Sequence, residues 1–125
     1  KAAKPPKPTR RGIAYVAIRA DGAPLLETRP PRGLLGGMPG WPGSDWSDAP
    51  TPAPPLEADW RILPGTVRHT FTHFHLELSV AIARVPLSAP GEFRPGFDPD
   101  ALPTLMRKVW DHAATGDLFA APPQG

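Results

Sequence analysis

The placement of proline limits where this chain can form regular structure. Proline lacks a backbone N–H and fixes φ, so it is excluded from the interior of helices and of strands paired on both sides. Of the 125 residues, 20 are proline, yet none lies in residues 9–23 or in residues 65–85. We expect strands to pair in these two windows. The proline-rich residues 50–55 predict an exposed loop.

The apolar content is enough for one small core. Leucine, isoleucine, valine and phenylalanine make up about a fifth of the chain, close to the level below which a highly charged chain stays unfolded, but the net charge is only +2. We therefore expect a single domain. No 18-residue apolar run is present to span a membrane. Because there is no cysteine, disulfides, thiolate metal sites and a cysteine nucleophile are excluded.

Both proline-free windows carry strand patterns. Residues 13–18 form a continuous apolar run rich in β-branched side chains, which is typical of a strand buried on both faces. Residues 21–22, Asp-Gly, predict a turn, and residues 25–29 a returning hairpin strand. Strict alternation over residues 74–83 predicts a half-buried strand, and residues 66–70 are expected to pair with a neighbour.

One helix is predicted near the C-terminus, over about residues 103–115. Pro103 suits a first helical turn, and Gly116 can end the helix. One apolar stripe contains Leu105, Met106, Val109 and Trp110. Together these patterns predict an α+β fold with a mixed or antiparallel β-sheet and one or two packed helices.

The N-terminal segment is basic and rich in proline. Residues 1–9 intersperse lysine with proline, which predicts an extended, solvated linker. We assign residues 10–118 to the folded domain and residues 119–125 to a C-terminal tail. Because the chain begins with lysine and shows no secretory signal, we expect it to be a fragment of a longer protein. Its first 32 residues carry eight basic and two acidic side chains, and this charge would favour a polyanionic partner.

A glycine-rich stretch, residues 33–42, follows Arg29 and Arg32. A phosphate loop needs glycines that open a helix, so that its backbone N–H groups converge on the anion. Pro39 and Pro42 remove donors where that helix would begin. The spacing instead predicts an irregular loop whose large apolar side chains pack on the core: Leu34, Leu35, Met38 and Trp41. Arg29 and Arg32 remain candidates for contacts with phosphate.

Three histidines lie within residues 69–75. His73 and His75 share a strand face, but His69 lies beyond a predicted turn, so a zinc site is not favoured. An exposed turn with an aromatic ring and a hydroxyl, flanked by histidine and arginine, suits nucleic acid instead. The ring can stack on or wedge between bases, and the hydroxyl can bond to a base edge. The candidate contacts are Arg68, His69, Phe71, Thr72, His73 and His75.

Several motifs together resemble one family. They are an apolar strand that begins at Gly12, Arg29-Pro30, the run GLLGGM at residues 33–38, Trp46 and Trp60, the run VRHTFTHFHL at residues 67–76, and Leu102-Pro103 followed by Met106-Arg107-Lys108. In this order they resemble the C-terminal domain of bacterial MutY-type adenine DNA glycosylases, which remove adenine mispaired with 8-oxoguanine.

The resemblance implies a Nudix-like fold that serves lesion recognition in base excision DNA repair. Phe71 would wedge beside the lesion pair, and Thr72, where many members carry serine, would read the lesion through its hydroxyl and backbone. His73 would support the loop. The implied partners are double-stranded DNA containing 8-oxoguanine:adenine and an N-terminal catalytic domain of the same chain, which excises adenine and carries an iron–sulfur cluster. This domain itself would need no cofactor, and act as a monomer in the bacterial cytoplasm.

The resemblance does not extend to the metal box of active Nudix hydrolases, which places an Arg-Glu and a Glu-Glu pair on one helix. Residues 42–55 hold only Asp45 and Asp48 as acids, and their prolines prevent that helix. We therefore do not expect this fragment to be catalytic alone. Two alternatives remain open: a Nudix-type nucleotide pyrophosphohydrolase, and a protein-interaction module that uses Trp41, Trp46 and the proline loop.

Overall fold

A computed structural model describes residues 6–116. The residues of the predicted tail, and most of the predicted linker, lie outside this range. The elements in chain order are β1 (Thr9–Arg19), β2 (Glu27–Thr28), β3 (Pro39–Gly40), β4 (Arg61–Ile62), β5 (Val67–Thr70), β6 (His75–Val85) and α1 (Thr104–Ala113), with short 3₁₀ turns at Pro99–Ala101 and Ala114–Gly116. The two long strands, β1 and β6, fall in the two proline-free windows.

The sheet is centred on β1 and β6, which run parallel along their whole length. Thr9 lies opposite His75 at one end, and Arg19 lies opposite Val85 at the other. On its other side β6 pairs antiparallel with β5 and with β4. The predicted fold class is thus confirmed, as an α+β fold with a mixed sheet and one main helix. Because β1 and β6 are parallel, both begin at the same end of the sheet.

The chain returns beside β1 only briefly after the turn at residues 21–22. The backbone N–H of Leu25 donates to the carbonyl oxygen of Ala17 over 3.0 Å, and Pro24 pairs with Ile18. The chain then leaves β1, and β2 pairs with β3 in a separate two-stranded ribbon. The prediction that residues 25–29 form a hairpin strand with β1 is therefore wrong beyond Leu25. Within that segment, β2 pairs with β3 instead.

α1 covers one face of the sheet. Alternate β6 side chains point toward it, and Leu76 and Val80 are fully buried in one cluster with Leu105 and Val109 of the helix. Burying a side chain of this size stabilises the fold by about 1.5–3 kcal/mol. The predicted helical stripe is confirmed, although Trp110 is only half-buried. No helix among residues 6–116 is long and apolar enough to cross a membrane.

Residues 33–38 form a turn, here called the glycine turn, that bonds mainly to its own backbone. The N–H of Gly37 donates to the carbonyl oxygens of Arg29 and Pro30 at 3.1 and 3.2 Å, and that of Met38 donates to Leu35. Of the four side chains predicted to pack on the core, Leu35 and Trp41 do so. The prediction was wrong for the other two, Leu34 and Met38, which are each 40% exposed, because the chain folds back on itself there.

Candidate nucleic-acid interface

The predicted turn in the histidine stretch joins β5 to β6. Residues 71–74, here called the aromatic turn, are closed by a 2.8 Å hydrogen bond from the N–H of Phe71 to the carbonyl oxygen of Phe74. Phe74 is buried and anchors the turn in the core. Thr72 and His73 are exposed at its tip. The turn therefore presents a hydroxyl and an imidazole to solvent from a rigid base.

Phe71 is half-buried among other rings. Its ring centre lies 4.8 Å from that of His69, 4.9 Å from Phe74 and 6.1 Å from Trp46. Trp46 reaches this position because residue 12 is glycine, where a Cβ atom would lie 2.7 Å from Cδ1 of Trp46. The surrounding rings limit the motion of Phe71 while part of its surface stays accessible.

The basic start of β1 lies against the aromatic turn. Lys7 Nζ donates to the carbonyl oxygen of Phe71 over 3.3 Å, and the N–H of His75 donates to the carbonyl oxygen of Pro8 over 2.9 Å. The Arg10 guanidinium lies 4.4 Å from the centre of the Phe74 ring. Sequence reasoning did not select Lys7 or Arg10, because only the parallel pairing of β1 with β6 brings them to this place.

The sheet face opposite α1 carries a small charge network beside the turn. The carboxylate of Glu77 lies 3.7 Å from Arg11 on one neighbouring strand and 3.3 Å from Arg68 on the other. Thr70 and His75 form the next residue pair toward the turn. Thr70 Oγ1 and His75 Nδ1 lie 2.8 Å apart. Exposed ion pairs of this kind contribute little stability, but they hold two guanidinium groups near the aromatic turn.

The three histidines of the sequence motif do not converge. His69 points to the α1 side of the sheet, His75 points to the opposite side, and His73 is at the tip of the turn. Among residues 6–116 no group of three or more histidine, aspartate or glutamate side chains is arranged to hold a metal ion.

A cleft of about 560 Å³ lies between β5 and α1. Its lining residues are Arg68, His69, Thr70, His75, Leu76 and Lys108. Lys108 Nζ donates to the carbonyl oxygen of Arg68 and to Nδ1 of His69, both over 3.2 Å. Burial, and then the charge of Lys108, lower the pKa of His69. Lys108 entered the sequence analysis only within the motif that carries the family resemblance, and the packing of α1 brings it to this cleft.

The two arginines proposed for phosphate contact have different surroundings. Arg29 Nε donates to the carbonyl oxygen of Leu34 over 3.0 Å, and its guanidinium lies 4.8 Å from the centre of the Trp46 ring. Arg29 thus connects the glycine turn to the aromatic stack. Arg32 is exposed on the surface of the glycine turn. The structure does not bring Arg32 into the contacts around Phe71.

Residues 42–55 form no helix. The carboxylate of Asp45 accepts the N–H of Thr51 over 2.9 Å, and this bond lowers the pKa of Asp45. Asp48 is exposed. A magnesium box needs several carboxylates that converge from one helix, and these two acids do not fit that description.

The comparisons with known proteins agree with this fold. The family profile of the NUDIX domain matches residues 13–112, which is most of the chain, so the chain belongs to the NUDIX domain family. No curated protein shows significant similarity to it.

Three solved structures illustrate the likeness. The MutT protein from Methanosarcina mazei Go1 is 13% identical with a TM-score of 0.65, and the match covers 91% of this chain and 99% of that one. The C-terminal domain of mouse MUTYH, solved in complex with human PCNA, is 21% identical with a TM-score of 0.58, covering 93% and 94%. A Nudix hydrolase from M. smegmatis, RenU, is 16% identical with a TM-score of 0.51, covering 95% and 91%. At these identities the likeness shows the fold.

Proposed function

We propose that this domain recognises 8-oxoguanine opposite adenine in duplex DNA and so gives lesion specificity to an adenine DNA glycosylase. One observation carries the proposal. The aromatic turn presents Thr72 and His73 at an exposed tip beside the half-buried ring of Phe71, and it is supported by a buried ring and surrounded by basic side chains. The likeness in fold to the C-terminal domain of mouse MUTYH supports it.

The side chains of the turn suit the recognition of a base. Phe71 offers an apolar ring that can insert beside a base pair, and its packing against Trp46 and His69 limits the entropy lost on binding. Thr72 supplies a hydroxyl that both donates and accepts hydrogen bonds. 8-Oxoguanine differs from guanine by an added carbonyl and ring N–H, so donors and acceptors at the tip can distinguish the two.

Nearby cations would neutralise DNA phosphates on either side of the lesion. Lys7 precedes β1, Arg10 lies near its start, and Arg68 lies on β5. Each phosphate contact releases a counterion and makes the affinity depend on salt. These contacts hold the duplex without regard to sequence, whereas the turn would select the lesion.

Lesion binding would assist catalysis without contact between this domain and the bond that is cleaved. Extrusion of adenine from the helix costs a few kcal/mol of stacking and pairing. Contacts that the turn makes with 8-oxoguanine only once adenine has left the stack would lower this cost for the correct substrate alone. Adenine excision itself would belong to the N-terminal catalytic domain.

A binding experiment tests the proposal. Fluorescence anisotropy would compare a duplex with a central 8-oxoguanine:adenine pair and the same duplex with guanine:adenine. We expect the chain to prefer the lesion by about tenfold, or about 1.4 kcal/mol, and expect Phe71→Ala and Thr72→Ala each to reduce this ratio. Leu87→Ala is the control, because Leu87 is exposed and lies past the far end of β6, roughly 33 Å from the turn.

Equal affinity of the unaltered chain for both duplexes would contradict the proposal, as would an unchanged ratio in Phe71→Ala. With the catalytic domain attached, the same variants should lower kcat/KM for adenine opposite 8-oxoguanine more than for adenine opposite guanine.

Membership of the NUDIX domain family and the likeness to MutT keep nucleotide hydrolysis as a second candidate. Residues 42–55 supply no helix for the acidic metal ligands, so we expect no release of phosphate or pyrophosphate from nucleoside triphosphates in the presence of magnesium. Steady turnover by the purified chain would favour the hydrolase.

A further inference from the structure

The cleft between β5 and α1 carries the Lys108 ammonium and adjoins the aromatic turn. None of its described lining residues is acidic. Among the basic ones, Lys108 and His69 turn their side chains toward the cleft, whereas Arg68 and His75 turn theirs to the opposite face of the sheet. His69 lines the cleft and its ring also meets Phe71 edge-on, with the ring centres 4.8 Å apart. A group bound in the cleft would therefore lie close to the ring that we propose enters the duplex.

The Lys108 ammonium is held in place before any ligand binds. Its two hydrogen bonds, to the Arg68 carbonyl oxygen and to His69 Nδ1, use two of the three donors of an ammonium. The third donor remains for a ligand. Because these bonds order the long side chain in advance, less conformational entropy is lost when an anion binds.

His69 offers a second donor. Lysine only donates, so Nδ1 of His69 must accept the bond from Lys108, and the neutral ring then carries its proton on Nε2. Burial and the charge of Lys108 favour the neutral ring by lowering its pKa. An anion in the cleft would oppose the effect of the Lys108 charge.

The free edge of β5 adds backbone donors. The bond between Phe71 and Phe74 sets the alternation of the antiparallel pair, in which every second residue turns its N–H and C=O away from the partner strand. Arg68 and Thr70 are the residues turned away from β6, consistent with the bond from Lys108 to the Arg68 carbonyl oxygen. Their N–H groups thus face the side of β5 where the cleft lies.

We propose that this cleft binds a phosphate group of the DNA backbone beside the lesion, with Lys108 as its main cationic contact. The inference rests on the proposed function in that it takes duplex DNA as the ligand. Charge complementarity and the ordered ammonium favour this occupant. An acidic peptide that pairs with the free edge of β5 is the competing occupant.

The salt dependence of DNA binding tests the proposal. Affinity for the lesion duplex and for an undamaged duplex would be measured at several salt concentrations for the unaltered chain, Lys108→Met and Arg107→Met. Loss of one phosphate contact should reduce the slope of log K against log salt by about 0.9, and the affinity about fivefold at 0.15 M salt. We expect this for Lys108→Met on both duplexes, with their affinity ratio unchanged.

Arg107→Met is the matched control. Arg107 precedes Lys108 on α1 and carries the same charge, but its guanidinium pairs with Asp100 over 3.0 Å and does not line the cleft. Arg107→Met should therefore change the slope of log K against log salt much less than Lys108→Met does. Lys108→Arg keeps the charge and should retain most of the slope, and thermal unfolding should show that all three variants are folded.

The outcomes separate this inference from the proposed function. If Lys108→Met leaves the slope of log K against log salt unaltered while the chain still prefers the lesion duplex, the phosphate site is overturned and the proposed function is not. If Lys108→Met reduces the slope but the unaltered chain shows no preference for the lesion duplex, the phosphate site is supported and the proposed lesion recognition is contradicted. Octaglutamate serves as the probe for the competing occupant, an acidic peptide. If it shifts the NMR signals of the Arg68 and Thr70 amides more than duplex DNA does, the inference is overturned.

Discussion

The glycine turn and the aromatic turn are both exposed, but different forces hold them. The glycine turn closes on its own backbone through hydrogen bonds among residues 29–38, and two of its three large side chains, Leu34 and Met38, are exposed. The aromatic turn continues the ladder between β5 and β6 and relies on rings and cations from distant parts of the chain. The first depends on local backbone geometry, whereas the second depends on the rest of the fold.

The largest effect is expected in the glycine turn from Gly36→Ala. A Cβ atom there would lie 2.5 Å from the carbonyl oxygen of Pro31, and a backbone atom cannot move aside as the end of a side chain can. We expect the free energy of unfolding to fall by about 3 kcal/mol, at the upper end of overpacking effects. Urea denaturation would measure it.

Gly33→Ala is the control for that substitution. Gly33 has a φ of +99°, but nothing lies within 4 Å of its Cβ position, so only backbone strain should contribute, at about 1–2 kcal/mol. Equal losses in the two variants would show that steric contact does not decide the shape of the glycine turn.

A smaller effect is expected beneath the aromatic turn from Gly12→Ala. The new Cβ atom would lie 2.7 Å from Trp46 Cδ1 and 3.0 Å from Leu78 Cδ2. Both are side-chain atoms that can shift, so we expect a loss of about 1–2 kcal/mol and a displaced Trp46. Denaturation and the NMR signal of the Trp46 indole N–H would report the two effects.

The same variant tests whether the aromatic turn needs its neighbours. If Trp46 supports Phe71, Gly12→Ala should also reduce the preference for the lesion duplex. A displaced Trp46 with an unchanged preference would mean that Phe71 is positioned by its own turn, and the contrast between the two turns would weaken.

The smallest effect is the pH dependence of stability that comes from His69. The folded state lowers its pKa through burial and through Lys108, so just below the unfolded value of about 6.5 the unfolded chain binds more protons than the folded chain. Stability from this group is therefore present above about pH 6.5 and declines as the pH falls toward the folded pKa. Arg68 and His75 also line the cleft, and Glu77 contacts Arg68.

Melting temperatures between pH 5 and 7.5 would measure this effect. His69→Gln should make the decline shallower, and Lys108→Met should raise the pKa of His69 in an NMR titration. A decline of the same steepness in His69→Gln would assign the pH dependence to another group.

Local patterns predicted much of the fold. Proline positions located the two long strands, because a proline inside a strand removes a ladder hydrogen bond. Alternation in residues 74–83 identified the buried face of β6, and the apolar stripe identified α1. A turn was also predicted at residues 70–72, and the structure forms it at residues 71–74. Each of these features depends on neighbours within a few positions, which is the distance over which sequence patterns carry information.

Local patterns alone could not predict the surroundings of the candidate site. The parallel pairing of β1 with β6 joins residues that are far apart in sequence, and it places Lys7 and Arg10 beside the aromatic turn. The packing of α1 on the sheet brings Lys108 to His69.

The sequence by itself thus determined where the two long strands and the helix form and which turn carries an aromatic ring and an exposed hydroxyl. Only the tertiary structure decided which cations surround that turn, and that Leu34 and Met38 remain exposed. The physical reason is that backbone preference and hydrophobic periodicity are local, whereas charge clustering and side-chain exposure depend on which distant segments pack together.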